Sequence, residues 1–223
     1  MKLRILQTAG FMVSWFVALF WSAGSVSWVR GWIYTAILLM AMGVIALVVW
    51  RYNRVLFAAR AKIRRKDTKR FDIVFFAIYM PLALAQPVVA GFDAVRFRWS
   101  SMSFGMVYAG IALFAIACAA IAWVMAVNRF AEQSVRIQTD RGHTVITTGP
   151  YRFVRHPMYI GLSLWFIASA LILGSLWALA IGCAITLLVI WRTAMEDRVL
   201  RRELPGYEEF TAQTRYRLVP GLW

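Results

Sequence analysis

Three ionisable residues near the C-terminus are the first candidates for chemistry. Arg192 and Glu196 are four residues apart, so on a helix they share one face, and Asp197 lies on the adjacent face. An ordinary surface ion pair is the simpler interpretation of this spacing. Two observations favour a functional one: the chain holds only 10 acidic residues, and these two follow a long apolar stretch, where ionisable groups are expensive.

A second group of candidates ends a polar loop at residues 128–157. Pro157 restricts His156 to extended conformations and suits the first position of a helix, so His156 is predicted at a helix N-terminus. Unpaired N–H groups at a helix start bind anions, and Arg152 and Arg155 add positive charge beside them. Taken singly, these residues also fit a set of snorkelling interfacial side chains. Together they favour a site for a carboxylate or phosphate.

The elements that must position these residues are apolar. Hydrophobic residues make up 61% of the 223-residue chain and charged residues 16%. Five stretches without charge contain 25, 20, 20, 30 and 36 residues, and they begin after Arg4, Arg30, Asp72, Arg98 and Arg155. About 20 helical residues span a bilayer core. The sequence therefore predicts an all-α polytopic membrane protein rather than a soluble domain.

The last stretch is too long for one span and holds Gly174-Ser175 near its middle. We interpret residues 158–173 and 176–193 as a helical hairpin whose arms are short for full spans. With segments at about 6–28, 31–50, 73–91 and 104–127, the prediction is five to six transmembrane segments. The tryptophans at 15, 21 and 28 favour a retained first helix over a cleaved signal peptide.

The net charge of +15 is interpreted as a topology signal. If the N-terminus is cytosolic and the segments alternate, 22 of the 25 Lys and Arg residues fall on the cytosolic side. Both termini and the 128–157 loop are then cytosolic. The most basic stretch, residues 51–70, is predicted to contact anionic headgroups, with Val55, Leu56 and Ile63 in the interface. It has no folded module for nucleic acid, so no nucleic-acid partner is predicted.

Smaller features complete the expectations from the residues alone. Val145-Ile146 is a β-prone segment between turns, and Cys118 and Cys183 are predicted to be buried free thiols. Pro205-Gly206 should end the last long helix, after which residues 207–223 fold back across the cytosolic face. No obligate protein partner is evident, and no metal-ligand cluster is found in the sequence.

Two motifs in the chain resemble those of a known enzyme family. The first runs Gly142-His143-x-Val145-x-Thr147-Thr148-Gly149-Pro150-Tyr151-Arg152-x-x-Arg155-His156-Pro157-x-Tyr159-x-Gly161. The second is Glu196-Asp197-x-x-Leu200 followed by Pro205-Gly206-Tyr207-Glu208-Glu209-Phe210. Together they resemble the isoprenylcysteine carboxyl methyltransferases and the related phospholipid N-methyltransferases. The resemblance covers residues 128–223, and residues 1–127 resemble the family only in hydropathy.

The resemblance implies an S-adenosylmethionine-dependent methyltransferase whose catalytic core is residues 128–223, behind four N-terminal spans in residues 1–127. It implies catalytic roles for Arg192, Glu196 and Asp197 and substrate contacts for Tyr207 and Arg217. The residues that it implies for the cofactor are His143, Gly149, Pro150, Tyr151, Arg155, His156, Pro157, Tyr159 and Gly161. The implied acceptor is a lipophilic or prenylated molecule that enters from the bilayer, with its carboxylate as the favoured methylation site.

The residues themselves are compatible with this chemistry but leave the acceptor open. Methyl transfer from a sulfonium needs positioning and exclusion of water, and no metal or covalent nucleophile. Arg192 could orient a carboxylate acceptor, and Glu196 could instead act as the base for an amine or hydroxyl acceptor. A membrane sterol reductase with a nicotinamide cofactor is a further alternative, although no G-x-G-x-x-G motif is present. A transporter ranks last because the spans lack ions and repeats.

Overall fold

The computed structural model describes residues 2–60 and 68–223, and of residues 2–9, 11 and 12 only the backbone. This part of the chain is helical and contains no strand. Its α-helices are α1 Lys2–Ala23, α2 Val29–Tyr52, α3 Arg54–Arg60, α4 Arg70–Gly91, α5 Met106–Val127, α6 Pro157–Leu173, α7 Leu176–Glu203 and α8 Tyr207–Gln213. A π-helical turn over Phe92–Arg96 extends α4, and 3-10 turns occupy Thr139–Arg141 and Gly149–Arg152.

The helices are long and apolar enough to confirm a polytopic all-α membrane protein. Four described helical segments could cross a membrane: Val29–Tyr52, Arg70–Arg96, Met106–Val127 and Leu176–Glu203. Two shorter apolar segments, Val13–Ala23 and Pro157–Leu173, account for the rest of the six that the sequence predicts. Most side chains in the four spans face outward, as expected for helices that contact lipid.

The C-terminal helical hairpin is confirmed. Gly174 ends α6 in the left-handed conformation, with φ at +79°, which costs glycine nothing. Ser175 then caps α7 by accepting a hydrogen bond from the Ala178 N–H. The second arm continues to Glu203, ten residues beyond the predicted end of the span, and stops before Pro205-Gly206 as expected.

The pairing of α5 with α6 depends on one glycine in each helix. A Cβ on Gly110 of α5 would lie 2.7 Å from the Ile172 Cγ1, and a Cβ on Gly161 of α6 would lie 2.8 Å from the Ile121 Cγ1. Small residues let helix backbones approach closely, which is the usual basis of helix association in membranes. The two glycines therefore fix the hairpin against α5.

The two ends of the bundle differ in charge. One end contains Arg30, which donates to the Met102 carbonyl, and Arg96, which donates to the Trp21 carbonyl. Asp93 is buried there and accepts from Ser100 and Ser175. The 128–157 loop, the end of α7 and α8 gather at the other end. The separation agrees with the charge asymmetry of the sequence, while the compartment on each side stays a prediction.

Several local expectations differ from the structure. Residues 145 and 146 are not in a strand, because no segment among the described residues pairs with them. Cys118 is half-buried and Cys183 is exposed on an outward helix face, so the prediction of two buried thiols is wrong for Cys183. In α3, Leu56 is buried and Val55 is exposed. Ile63 and four cations of that basic stretch, at 62 and 64–66, lie outside the described residues.

Candidate functional site

An open cleft, with about 830 Å³ of empty space including its mouth, lies at the end of the bundle where α6 begins and α7 leaves the apolar region. Its walls come from the 128–157 loop, the first turn of α6, the last turns of α7, and α8. Six apolar side chains form one part of the wall: Phe130, Val145, Ile146, Leu200, Leu204 and Phe210. Most of the remaining lining side chains are polar or charged, apart from Ala131, Val135 and Met158. The cleft therefore suits a ligand with one flat apolar part and one charged part.

The cleft brings together residues from both sequence motifs. Eight of the predicted site residues line it: His143, Tyr151, Arg155, His156, Tyr159, Arg192, Glu196 and Tyr207. Six do not: Gly149, Pro150, Pro157, Gly161, Asp197 and Arg217. Gly161 packs against α5, and Gly149 forms the left-handed start of a 3-10 turn beside Trp123. The roles of all these residues stay predictions; the geometry places the six behind the cleft wall.

Glu196 is the carboxylate that faces the cleft. It is half-buried on α7 and accepts a short hydrogen bond from the Tyr159 hydroxyl, which comes from the first turn of α6. The ring of Tyr159 stacks nearly parallel to His156, with centroids 5.9 Å apart. Glu196 is therefore held in one orientation while its remaining lone pairs are directed toward the open space.

Arg192 does not pair with Glu196 as its spacing suggests. Its Nη2 lies 2.7 Å from the Oδ1 of Asp72, a buried residue in the first turn of α4, and donates to the Gln133 carbonyl at 2.8 Å. The guanidinium carbon also lies 4.3 Å from the Phe75 ring centroid and 5.4 Å from that of Tyr159. Arg192 thus lies at the edge of the cleft, and its positive charge is already paired with Asp72 and packed against aromatic rings.

Asp197 is the centre of a buried polar cluster behind the cleft. Its side chain is fully buried and lies within 2.9 Å of the Nε atoms of Arg155 and Arg217, and 3.3 Å from that of Arg201. Tyr207 donates to it at 3.0 Å. One carboxylate facing three guanidinium groups has little capacity left for a ligand. The cluster joins α7, α8, the loop and the C-terminal segment, which is a structural arrangement.

Two backbone N–H groups at the turn before α6 form hydrogen bonds within the protein. The N–H groups of Arg155 and His156 donate to the carbonyls of Tyr216 and Arg217, both at 2.9 Å. The C-terminal segment therefore folds back onto the His156 turn, as the sequence predicts. Its carbonyls take these two N–H groups, and anion binding by the rest of the helix start stays a prediction. The sequence could not reveal this, because the contact joins residues about 60 positions apart.

The loop side of the cleft is organised by buried hydrogen bonds and ion pairs. The Tyr151 hydroxyl accepts from Asn128, and burial raises the pKa of Tyr151 above its ordinary value. Burial lowers the pKa of His143, whose Nδ1 accepts from the Gln138 N–H. Accepting this bond requires an unprotonated Nδ1, so the geometry and the direction of the pKa agree.

Glu132 supplies a further charged edge of the cleft. It pairs with Arg136 at 3.0 Å and Arg141 at 3.1 Å, while Arg136 also pairs with Asp140. Hydrogen bonds to Glu132 and Asp140 raise the pKa of Arg136. These ion pairs connect residues 132–141 of the loop to one another.

Sequence reasoning missed two acidic residues of the site. Asp72 entered only as the boundary of an apolar stretch, and Glu132 only as part of a polar loop. The scarcity of acids, which drew attention to Glu196 and Asp197, could have identified both. The sequence gives no sign that Asp72 pairs with Arg192, which is 120 positions away.

The fold and the cleft define an integral membrane protein with a largely polar cleft at one end of its helices. Residues 106–205, from the first residue of α5 to the residue before Gly206, match the family model described as phospholipid methyltransferase. This match confirms the resemblance and indicates a membrane methyltransferase that acts on lipid-related substrates. The matched segment includes α6, α7 and most of the cleft wall. A comparison with curated proteins finds no match.

Proposed function

We propose that the chain is an integral membrane methyltransferase that transfers a methyl group from S-adenosylmethionine to a lipophilic acceptor. The observation that carries this proposal is the cleft, in which Glu196 and Arg192 from α7 face Tyr159 and His156 from the α6 turn. The family match over residues 106–205 supports the reaction class.

The described residues fit the cofactor. The apolar wall that includes Phe130 and Phe210 suits an adenine ring, and the carboxylate of Glu196 suits a positively charged group. S-adenosylmethionine, when bound, supplies a methyl group on a sulfonium that is open to in-line displacement.

The protein contributes to the reaction in two ways: it positions the acceptor against the methyl group, and it removes a proton from the acceptor. The acceptor atom forms a bond to the methyl carbon as the carbon–sulfur bond breaks, and the bonding pair goes to sulfur. An amine or hydroxyl acceptor also releases a proton, which Glu196 is placed to take. Tyr159 holds Glu196 through its hydrogen bond, so the carboxylate does not have to be ordered during reaction.

The first candidate acceptor is a carboxylate of an isoprenylcysteine-like molecule, oriented by Arg192. The second is a lipophilic amine, such as a phospholipid headgroup, with Glu196 as the base. One observation favours the second: the Arg192 guanidinium already lies 2.7 Å from Asp72, so a carboxylate acceptor would compete for it. In either case we propose that the acceptor enters between helices from the bilayer and the cofactor enters from the cytosol.

The experiment is a labelled-methyl assay on protein purified in detergent. S-adenosylmethionine with a radioactive methyl group is supplied with lipid extract, and in parallel with N-acetyl-S-farnesylcysteine. Incorporation that is released by mild base identifies an ester, and stable incorporation identifies an N-methyl product. Absence of incorporation with every acceptor would contradict the proposed function.

A further inference from the structure

We infer that Asp72 determines the charge of the acceptor that the cleft admits, because it neutralises Arg192. The inference rests on the proposed methyl transfer and concerns a residue of α4, outside the segment that matches the family model. It therefore assigns a specificity-determining role to the N-terminal half of the chain, which the two sequence motifs do not include.

Asp72 and Arg192 together hold one strip of the cleft wall. Arg192 donates to the carbonyl of Gln133, and the Oδ2 of Asp72 accepts from the N–H of Val135 at 2.8 Å. The two side chains meet across this strip at 2.7 Å. Both are buried, and Asp72 is fully so. The ion pair thus fixes where Arg192 lies and how much of its charge a ligand can use.

Asp72 is a direct ion-pair partner of Arg192. Arg60 from α3 is the other nearby cation, and it donates to the Ala131 carbonyl. Glu196 is the other carboxylate near Arg192, and the rings of Phe75 and Phe76 lie beside its guanidinium. Removing the charge of Asp72 would make this edge of the cleft more positive by one charge.

A buried charge interacts strongly because few water molecules screen it. A carboxylate acceptor would have to displace Asp72 from Arg192 or share it, leaving one carboxylate without a partner. A neutral amine imposes no such cost and finds a proton acceptor in Glu196. Asp72 consequently selects against anionic acceptors, which is specificity through an unfavourable interaction.

The test is Asp72→Asn, which preserves side-chain size and an oxygen for the Val135 N–H. The readout is equilibrium binding, without cofactor, of N-acetyl-S-farnesylcysteine and of S-farnesylcysteamine, which carry the same tail with a carboxylate or an amine. We expect D72N to bind the carboxylate probe at least tenfold more tightly than wild type. The amine probe should bind with unchanged or weaker affinity.

Asp93→Asn is the matched control. Asp93 is equally buried at the opposite end of the same helical segment, where its partners are serine hydroxyls and N–H groups. D93N should lower thermal stability and leave the ratio of the two affinities within twofold of wild type. A ratio that moves as far in D93N as in D72N would overturn the inference.

Two further results separate this inference from the proposed function. If wild type transfers no methyl group to any acceptor, the proposed function fails. If wild type transfers methyl groups but D72N binds the carboxylate probe no better, the inference alone fails. Should D72N not fold, D72N/R192Q replaces it, because that variant removes both charges. The ratio of its affinities for the carboxylate and amine probes should stay within threefold of the wild-type ratio. A tenfold gain in affinity for the carboxylate probe would contradict the role of Arg192.

Discussion

Glu196 and Asp197 are consecutive residues of α7, yet they belong to different regions of the molecule. Glu196 is half-buried in the cleft wall, where one tyrosine holds it and its other side is open. Asp197 is fully buried in the layer behind, facing three arginines, a histidine and a tyrosine. Neighbouring positions on a helix point about 100° apart, which is enough to separate a reactive group from a structural one.

The difference shows what each carboxylate can contribute. The layer behind the cleft has its donors and acceptors matched within the protein, so it can fix the shape of the site. The cleft wall keeps capacity for a ligand on Glu196, and some on Arg192. We expect substitutions in the layer behind to alter stability and substitutions in the wall to alter turnover or binding.

The largest expected effect is that of Asp197→Asn on stability. It leaves the guanidinium groups of Arg155, Arg201 and Arg217 close together without their shared carboxylate. We expect the free energy of unfolding in detergent to fall by about 3 kcal/mol or more. Glu203→Gln is the control, because its pair with Lys69 is exposed and worth less than about 1 kcal/mol. Equal unfolding curves for the two variants would contradict the structural role of Asp197.

Glu196→Gln should have the opposite effect to Asp197→Asn: it should lower turnover and leave stability nearly unchanged. The amide retains an acceptor for the Tyr159 hydroxyl but cannot take a proton from the acceptor. We expect turnover to fall about 100-fold, in the range of general-base effects, with stability within about 1 kcal/mol of wild type. Initial rates with labelled S-adenosylmethionine and unfolding curves measure the two quantities. Turnover within a few-fold of wild type would remove Glu196 from the catalytic residues.

Gly161→Ala tests a residue that the sequence assigned to the cofactor and the structure places behind the wall. The added Cβ would lie 2.8 Å from the Ile121 side chain and 3.1 Å from the Ala117 carbonyl oxygen. We expect a loss of about 1–3 kcal/mol in stability, as for overpacked cores.

The affinity of the folded Gly161→Ala protein for S-adenosylmethionine should remain within threefold of wild type. Gly43→Ala is the matched control, because its Cβ would meet nothing within 4 Å. If Gly161→Ala lost cofactor binding while its stability was undiminished, Gly161 would have to be assigned to the cofactor site after all.

The smallest expected effect is a pH dependence in the loop. Burial lowers the pKa of His143 in the folded state, so the unfolded state binds the proton more readily. The stabilisation is present above the unfolded pKa of about 6.5 and is lost as the pH falls below it. The protection factors of the amides of residues 138–143, which are the intrinsic exchange rates at each pH divided by the observed rates, should fall as the pH is lowered from 7.5 to 5.5. His143→Gln should abolish this pH dependence. If the pH dependence were unchanged in that variant, a group other than His143 would be its cause.

Features with a local cause could be predicted from the sequence. Charge-free lengths identified the spans, Gly174-Ser175 located the hairpin turn, and Pro205-Gly206 marked the end of α7. The motif residues that line the cleft were also found, because the resemblance supplied them together. The spans could be recognised because a bilayer imposes a length that leaves a simple signal.

Features that depend on pairing between distant positions of the chain could not be predicted from the sequence. Asp72 is 120 positions from Arg192, and the carbonyls of Tyr216 and Arg217 fill the turn at His156 from about 60 positions away. Spacing within one helix instead suggested an Arg192–Glu196 pair, which the nearer and more buried Asp72 replaces. Polar partners in a largely apolar chain are few, so each pairing choice decides which groups stay available to a ligand.

The central claim is that the cleft binds S-adenosylmethionine, and calorimetric titration of the detergent-solubilised protein tests it most directly. S-adenosylmethionine and NADPH are titrated separately into wild type, into His156→Ala, and into Cys183→Ala, whose exposed site lies on an apolar span. We predict saturable one-to-one binding of S-adenosylmethionine to wild type and Cys183→Ala, weakened at least tenfold in His156→Ala, and none of NADPH. Binding of NADPH without binding of S-adenosylmethionine would contradict the account.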